Sequence, residues 1–328
     1  MTKRNSIILA LLFFIVIVEI VVLAPKDLGI SPAEDGAADS TSSKVGGDAS
    51  AQIMNDVHLV EAKSDGKEWE LWAAKARNPK DKDDWDIENV RVKFFASNGV
   101  TYTVTGKKGH IVPEKKDMRI EGNVVTRSSN GYIFKTESAF YDSKLRRLTS
   151  PGDVEMIGPA DKEGGQLYLT GAEMTAEFAT NQINVNRNVH AKKNLKGDKV
   201  VTIESQRALF SGKTNSARFF GNVVIDAETM RITGPEARFV YGQKTQSLDS
   251  VEVVGGIRVT DTDKFATSRS VNVSFKDDRV VFNGAPRVVQ NGDELVGDQI
   301  VFLEGGHKVQ VSNAKAEMDP RTMEKKKQ

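Results

Sequence analysis

Residues 203–240 read IESQRALFSGKTNSARFFGNVVIDAETMRITGPEARFV, and two short phrases in that stretch decide the fold. A polar-small pair, Glu204-Ser205 and then Thr233-Gly234, brackets a triplet, Gly221-Asn222-Val223. Both phrases return along the chain. The pair stands at Thr105-Gly106, Thr136-Glu137, Thr170-Gly171, Glu204-Ser205, Thr233-Gly234, Thr267-Ser268 and Val296-Gly297, at steps of 31, 34, 34, 29, 34 and 29 residues. The triplet stands at Gly122-Asn123-Val124, Gly152-Asp153-Val154, Asn188-Val189 and Gly221-Asn222-Val223, with looser copies at Gly255-Gly256-Ile257 and Gly284-Ala285-Pro286. Self-similarity at this period marks a repeat architecture, in which each unit stacks on the next.

Side-chain parity gives the unit its shape. One residue before each pair stand Val104, Lys135, Leu169, Ile203, Ile232, Ala266 and Leu295; three before stand Tyr102, Ile133, Leu167, Val201 and Met230. These share one face of a strand. After the pair the apolar residues fall four and six positions on: Phe140, Met174 with Ala176, Ala208 with Phe210, Ala237 with Phe239, Val271 with Val273, and Ile300 with Phe302. The step across the pair is odd, which in a regular strand would turn the second set to the opposite face. An extra residue at the pair restores one face and bends the strand. Around the triplet, Ile120/Val124, Val185/Val189, Phe219/Val223 and Val253/Ile257 keep even spacing, and its small residue lets the walls approach. Each unit is therefore two strand segments and a corner around an apolar interior. Short strands are expected at 91–95, 100–105, 118–126, 132–136, 167–170, 200–204, 223–226, 258–260, 271–275 and 295–303. An elongated, bent antiparallel β-jellyroll shaped like a trough fits two bent strands per repeat best, ahead of a parallel β-helix and then a propeller.

Composition narrows the function classes. Lys+Arg 46 against Asp+Glu 45 gives no basic excess to attract nucleic acid, and with no Cys there are no disulfides or thiolate metal sites. Lys3 and Arg4 precede an apolar run from Ile7 to Leu23, broken only by Glu19. Extended to 20 residues it spans roughly 30 Å of helix, about one hydrocarbon core. Residues 1–25 are therefore expected to form a single transmembrane anchor with the rest of the chain exported. Glu19 either meets a partner helix within the membrane or reaches back to the interface. Residues 26–55, rich in Ser, Ala, Gly and Asp, are expected to form a flexible tether. Past residue 25 no segment holds a helical period, so the exported part is expected to be all-β.

The anchor, the tether, the opening Trp69-Glu70-Leu71-Trp72-Ala73, then Asn89-Val90 and the recurring phrases together resemble the LptC family of lipopolysaccharide export proteins. The repeats from about Gly152 to Met318 are more similar to the OstA-type domain of the soluble partner family LptA. An LptC-like chain stops after one β-jellyroll module, and this one carries more repeats. The resemblance implies an LptC-like jellyroll over 56–151, an LptA/OstA-like continuation over 152–318 and a polar tail at 319–328. It implies an inner-membrane protein with its bulk in the periplasm, which takes lipopolysaccharide from an ABC transporter (LptB, LptF, LptG). The lipid then passes to an LptA-like bridge joined edge to edge. Lipid-binding residues would be Phe140, Met174, Ala176, Ala208, Phe210, Ala237, Phe239, Val271, Val273, Ile300 and Phe302, with Val124, Val189, Val223 and Ile257. Exposing hydrocarbon to water costs about 0.8 kcal/mol per CH₂, so a chain of roughly a dozen carbons faces about 10 kcal/mol unaided.

Two other classes remain open from the residues alone. An exported carbohydrate-active enzyme on a β-helix needs paired carboxylates in a cleft. Asp83, Asp84 and Asp86 cluster, but beside Lys80 and Lys82 in a turn-like stretch, and His58, His110, His190 and His307 are far apart. No catalytic, metal or cofactor site is expected. A passive envelope scaffold would fill the same interior with its own side chains.

Overall fold

The computed structural model describes residues 52–63, 66–78, 84–96, 99–160, 165–194, 200–242, 248–262, 264–290, 292–304 and 308–317. The expected anchor with Glu19, the tether up to residue 51 and the polar tail lie outside them. Among the described residues no helix is long and apolar enough to cross a membrane. Strand replaces the last four residues of the expected tether, because β1 begins at Gln52.

The strands are β1 (Gln52–Lys63), β2 (Gly66–Asn78), β3 (Trp85–Phe95), β4 (Thr101–Val112), β5 (Asp117–Ser128), β6 (Ile133–Asp142) and β7 (Arg147–Ile157). Next come β8 (Leu167–Glu177), β9 (Gln182–Asn194), β10 (Val200–Ser205), β11 (Arg207–Ser211), β12 (Ser216–Ala227), β13 (Met230–Tyr241) and β14 (Leu248–Thr260). The last are β15 (Lys264–Ser274), β16 (Arg279–Asn283), β17 (Arg287–Gln290), β18 (Asp293–Val296), β19 (Gln299–Leu303), β20 (Lys308–Ser312) and β21 (Lys315–Glu317). All belong to one sheet in which every pair is antiparallel. β10 and β11 both pair with β9 and with β12, so they are two halves of one bent strand. The pairs β16/β17, β18/β19 and β20/β21 are split in the same way. Where the sequence suggests short strands, the structure carries them on through a corner, as where 223–226 becomes part of the 12 residues of β12, and β13 is a strand the sequence reading left out. The boundary expected at 151/152 falls inside β7.

The corner has a definite chemistry. Gly122 and Asn123 lie at φ of 80° and 52°, Gly221 and Asn222 at 77° and 50°, and Gly255 and Gly256 at 96° and 93°. Left-handed backbone is open to Gly and tolerated by Asn, so the composition of the triplet is a conformational requirement. Opposite each doublet stands a single residue of the next strand: Glu137, Pro235 and Arg269. The surplus residue thus sits in the triplet strand, not in the Thr-Gly pair where the parity step suggested it. The odd step in the Thr-Gly strand is what a neighbour with one residue more imposes. The glycine of the pair has the other task. A Cβ on Gly106 would lie 2.5 Å from Ile120 Cγ2, and one on Gly171 2.5 Å from Val185 Cγ1. A Cβ on Gly221 would likewise lie 2.3 Å from Gln206 Oε1 and one on Gly255 2.3 Å from Pro235 Cγ, so both phrases need close approach, as the sequence suggested for the triplet, and the triplet adds left-handed backbone.

Successive corners fold the sheet over on itself. β4 and β8 are four strands apart, roughly 19 Å along a flat sheet at about 4.8 Å per strand. Yet the Tyr102 hydroxyl at the start of β4 donates to Asn181 Oδ1, just past β8, at 2.8 Å. The hairpin turns of one rim are stitched in series. Phe178 N–H donates to Arg146 O at 3.2 Å, Gly212 N–H to Asn181 O at 3.0 Å and Tyr241 N–H to Asn215 O at 2.9 Å.

Inside the fold are two apolar clusters. The first gathers Trp69, Leu71, Val92, Phe94, Tyr102, Met118, Ile120, Tyr141 and Phe178; the second runs from Phe134 and Met156 through Phe219 and Phe239 to Ile300. Strands β6, β7 and β8 serve both, one half each: Phe134, Val154 and Leu169 in the second, Tyr141, Leu148 and Ala176 in the first.

The two glycine roles make a prediction. Gly171→Ala should destabilise the protein by about 1–3 kcal/mol through overpacking against Val185. Gly152→Ala should be near neutral, since nothing lies within 4 Å of the new Cβ. Urea unfolding midpoints of the two variants read the difference.

Candidate functional site

The second interior has a depth profile set by the corners. Val189, Ala208, Val223, Ala237, Val271 and Ile257, near the bends, are fully enclosed. Toward the strand ends exposure rises. Leu167, Val201, Met230, Val259 and Val288 on one half, and Phe210, Tyr241, Leu248, Val273 and Phe302 on the other, are half-buried and pack against the cluster. Two facing lines of partly wet apolar side chains therefore border the enclosed floor.

Most of the residues expected to line the interior do so. Val124 and Ala176 belong to the first cluster; Met174, Val189, Ala208, Val223, Ala237, Phe239, Ile257, Val271 and Ile300 are buried in the second. Phe210, Val273 and Phe302 stand at its edge. Phe140 does not face inward: it is 43% exposed, while its neighbours Ala139 and Tyr141 are enclosed. The cause is a slip of one residue in aligning the repeat. The corner pair of β6 is Lys135-Thr136, since Thr136 pairs with Val124 as Ser205 pairs with Val189, so Phe134 takes the inward place assigned to Lys135, and Ala139 and Tyr141 follow on the same face. A shift of one in a strand reverses every side chain.

Sequence reasoning missed the aromatic group that closes the mouth of the first interior. Phe94 stacks on Phe178 with centroids 5.0 Å apart, Tyr102 meets Phe178 at 5.1 Å, and Phe94 meets Tyr141 at 4.5 Å. Phe178 continues the parity of Met174 and Ala176, which was the available signal. Burial pushes the Tyr102 phenol up to about 12, with the nearby Tyr132 phenol adding to it, and raises Tyr132 and Tyr241 in the same direction. Among the described residues the Tyr141 hydroxyl has no hydrogen-bond partner, although its side chain is wholly enclosed.

Between the two clusters lies a cavity of about 100 Å³, walled by Phe134, Met156, Ile183, Phe210 and Tyr241 and rimmed by Asn130, Asn181 and Asn215. It is smaller than the 150 Å³ apolar void that admits a benzene. Elsewhere, the turn-like Asp cluster meets His110, whose Nδ1 is 3.0 Å from Asp86 and Nε2 3.1 Å from Asp84. Among the described residues no three His, Cys, Asp or Glu side chains are grouped to hold a metal ion.

Comparison with known families gives two matches in series. Residues 10–194 match the family model "Lipopolysaccharide-assembly, LptC-related", and residues 202–322 match "LptA/(LptD N-terminal domain) LPS transport protein". Both descriptions name lipopolysaccharide assembly or transport, and neither names an enzyme. Among solved structures, LptH of Pseudomonas aeruginosa, the LptA homologous periplasmic component of the lipopolysaccharide transport device, is similar at 18% identity. The match covers 37% of this chain and 95% of that one, with a TM-score of 0.33. No curated protein sequence matches.

A pH dependence follows from the closed mouth. A phenol whose folded value lies above the ordinary 10 contributes stability that is complete below pH 10 and lost as pH rises toward about 12. Urea midpoints measured from pH 9 to 12 should fall steeply in the native protein. In Tyr102→Phe, which has no phenol to ionise there, the fall should be shallower.

Proposed function

This chain belongs to the LptC-related lipopolysaccharide-assembly family, whose model spans more than half of it, and on that premise we propose how it moves its lipid. It is a lipopolysaccharide-transport protein of the periplasmic bridge, with an LptC-like part and an LptA-like part in one chain. The acyl chains travel between the two lines of half-buried side chains, from the first interior to the second, while the sugar headgroup stays in water. The residues expected to bind lipid, Phe140 excepted, form the floor and edges of that path.

The observation that carries this reading is the depth profile. A closed structural core would bury its apolar residues to the strand ends. Here Phe210, Tyr241, Val273 and Phe302 keep part of their surface in water along one continuous border. Each exposed CH₂ is worth about 0.8 kcal/mol to whatever covers it, so a tail lying along the border regains much of what it loses on leaving a bilayer. Because the repeats are alike, no single station holds the tail far more tightly than the next.

The same reading places the N-terminal apolar run, with Glu19, in the inner membrane beside an ABC transporter of the LptB, LptF and LptG kind, and the strands in the periplasm. The division into two modules is drawn at the 195–199 connection, where the family matches meet. Among the described residues two sheet edges lack a second neighbour. β1 pairs there on one side only and exposes Ile53, Met54, Leu59 and Val60; β20 and β21 pair there on one side only and expose Val309. An LptA-like protein would extend the sheet from the second edge.

A photoreactive phenylalanine analogue placed at Phe210, Val273 or Phe302 should capture lipopolysaccharide in cells with an active export machinery. The same analogue at the outward-facing Phe140 should give only background. Equal capture at all four positions, or none at any, would falsify the conduit.

A further inference from the structure

We infer that the turn between β8 and β9 is a gate between the two interiors, and that the cavity behind it receives a hydrocarbon tail leaving the first for the second. The inference rests on the conduit reading and adds a station to it. Ile183 packs against both clusters, so the boundary a tail must cross runs past it. Five residues before Ile183, Phe178 fills the mouth of the first interior against Phe94 and Tyr102. Two residues before it, Asn181 holds the turn shut by accepting from the Tyr102 hydroxyl at 2.8 Å. The cavity opens on the other side of that bond, with Tyr102, Asn181 and Ile183 shared between stopper and pocket. Its far wall, Phe134, Met156 and Phe210, belongs to the second interior.

Several features suit a moving part. Besides the Tyr102 bond, two backbone bonds tie the turn to its neighbours: Phe178 N–H to Arg146 O, and Gly212 N–H to Asn181 O. A Cβ on Gly212 would lie 2.0 Å from Asn181 Nδ2, so glycine is what allows the amide to seat there. Among the described residues the Tyr141 hydroxyl beneath the stopper has no hydrogen-bond partner, and an unmet buried hydrogen bond makes an alternative packing more accessible. When Phe178 swings out, the place it leaves in the first interior joins the cavity across the boundary at Ile183.

Hydrogen exchange on the purified full chain in detergent micelles tests this, with purified lipopolysaccharide as the probe. On lipid addition, amide exchange at Phe178, Asn181 and Gly212 should rise several-fold, while amides at the corner around Val189 stay protected. Tyr102→Phe keeps the ring and removes the catch, so its turn should exchange faster than native before any lipid is added. Lipid captured by a photoreactive analogue at Phe210 with no change in the turn overturns the gate and leaves the conduit standing. Failure to capture lipid at all overturns the conduit, and the gate with it. Unchanged basal exchange in Tyr102→Phe overturns the assignment of the catch.

Discussion

The structure depends on a mismatch of one residue, repeated. Each triplet strand carries one more residue through its corner than the strand beside it, and left-handed backbone takes up the excess, in Gly or Asn of the triplet at most corners and in Glu173 opposite Gly152 at one. A ladder of antiparallel bonds would otherwise run nearly straight and present one apolar face to water. Bending every strand at the same height brings the two halves of that face together. The second interior, its depth profile and its half-wet border all follow from where the bends fall. Asn89 and Asn313, both left-handed at φ of 53°, carry the device into β3 and to the stretch between β20 and β21.

Much of this was legible in the sequence. Period, strand class and the inward set from Met174 to Phe302 follow from counting, because a strand has only two faces and the repeat supplies many independent votes on which is which. What could not be read is the division of labour between the two phrases. Glycine serves both for left-handed backbone and for close approach, and composition does not distinguish the two. A Cβ would collide at Gly171 and at Gly221 alike, and only the left-handed φ of Gly221 separates them. Phe140 failed for a related reason. β6 has no glycine in its pair, so Thr136, which holds the second place of the pair, drew the alignment one residue late, and a two-residue period forgives no slip.

The stopper was illegible for another reason. Phe94, Tyr102, Tyr141 and Phe178 come from four strands or their turns, up to 84 positions apart, and meet only because the sheet rolls. Sequence periodicity describes neighbours within a unit; closure of the roll joins units that do not adjoin. A conduit needs both. The repeats supply a uniform apolar face, and the rolled end brings Phe94, Tyr102, Tyr141 and Phe178 together at its mouth.

One further consequence belongs to the continuous ladder from β9 into β10 and β11. Where two separate chains meet by strand addition, the junction exists only while they are associated, and dilution or competition can empty it. Here peptide bonds span the seam between the LptC-like and LptA-like parts, so its occupancy is independent of concentration and its stoichiometry is fixed at synthesis. The relay has given up one reversible assembly step, and with it one point at which supply of a loose component could throttle the flow.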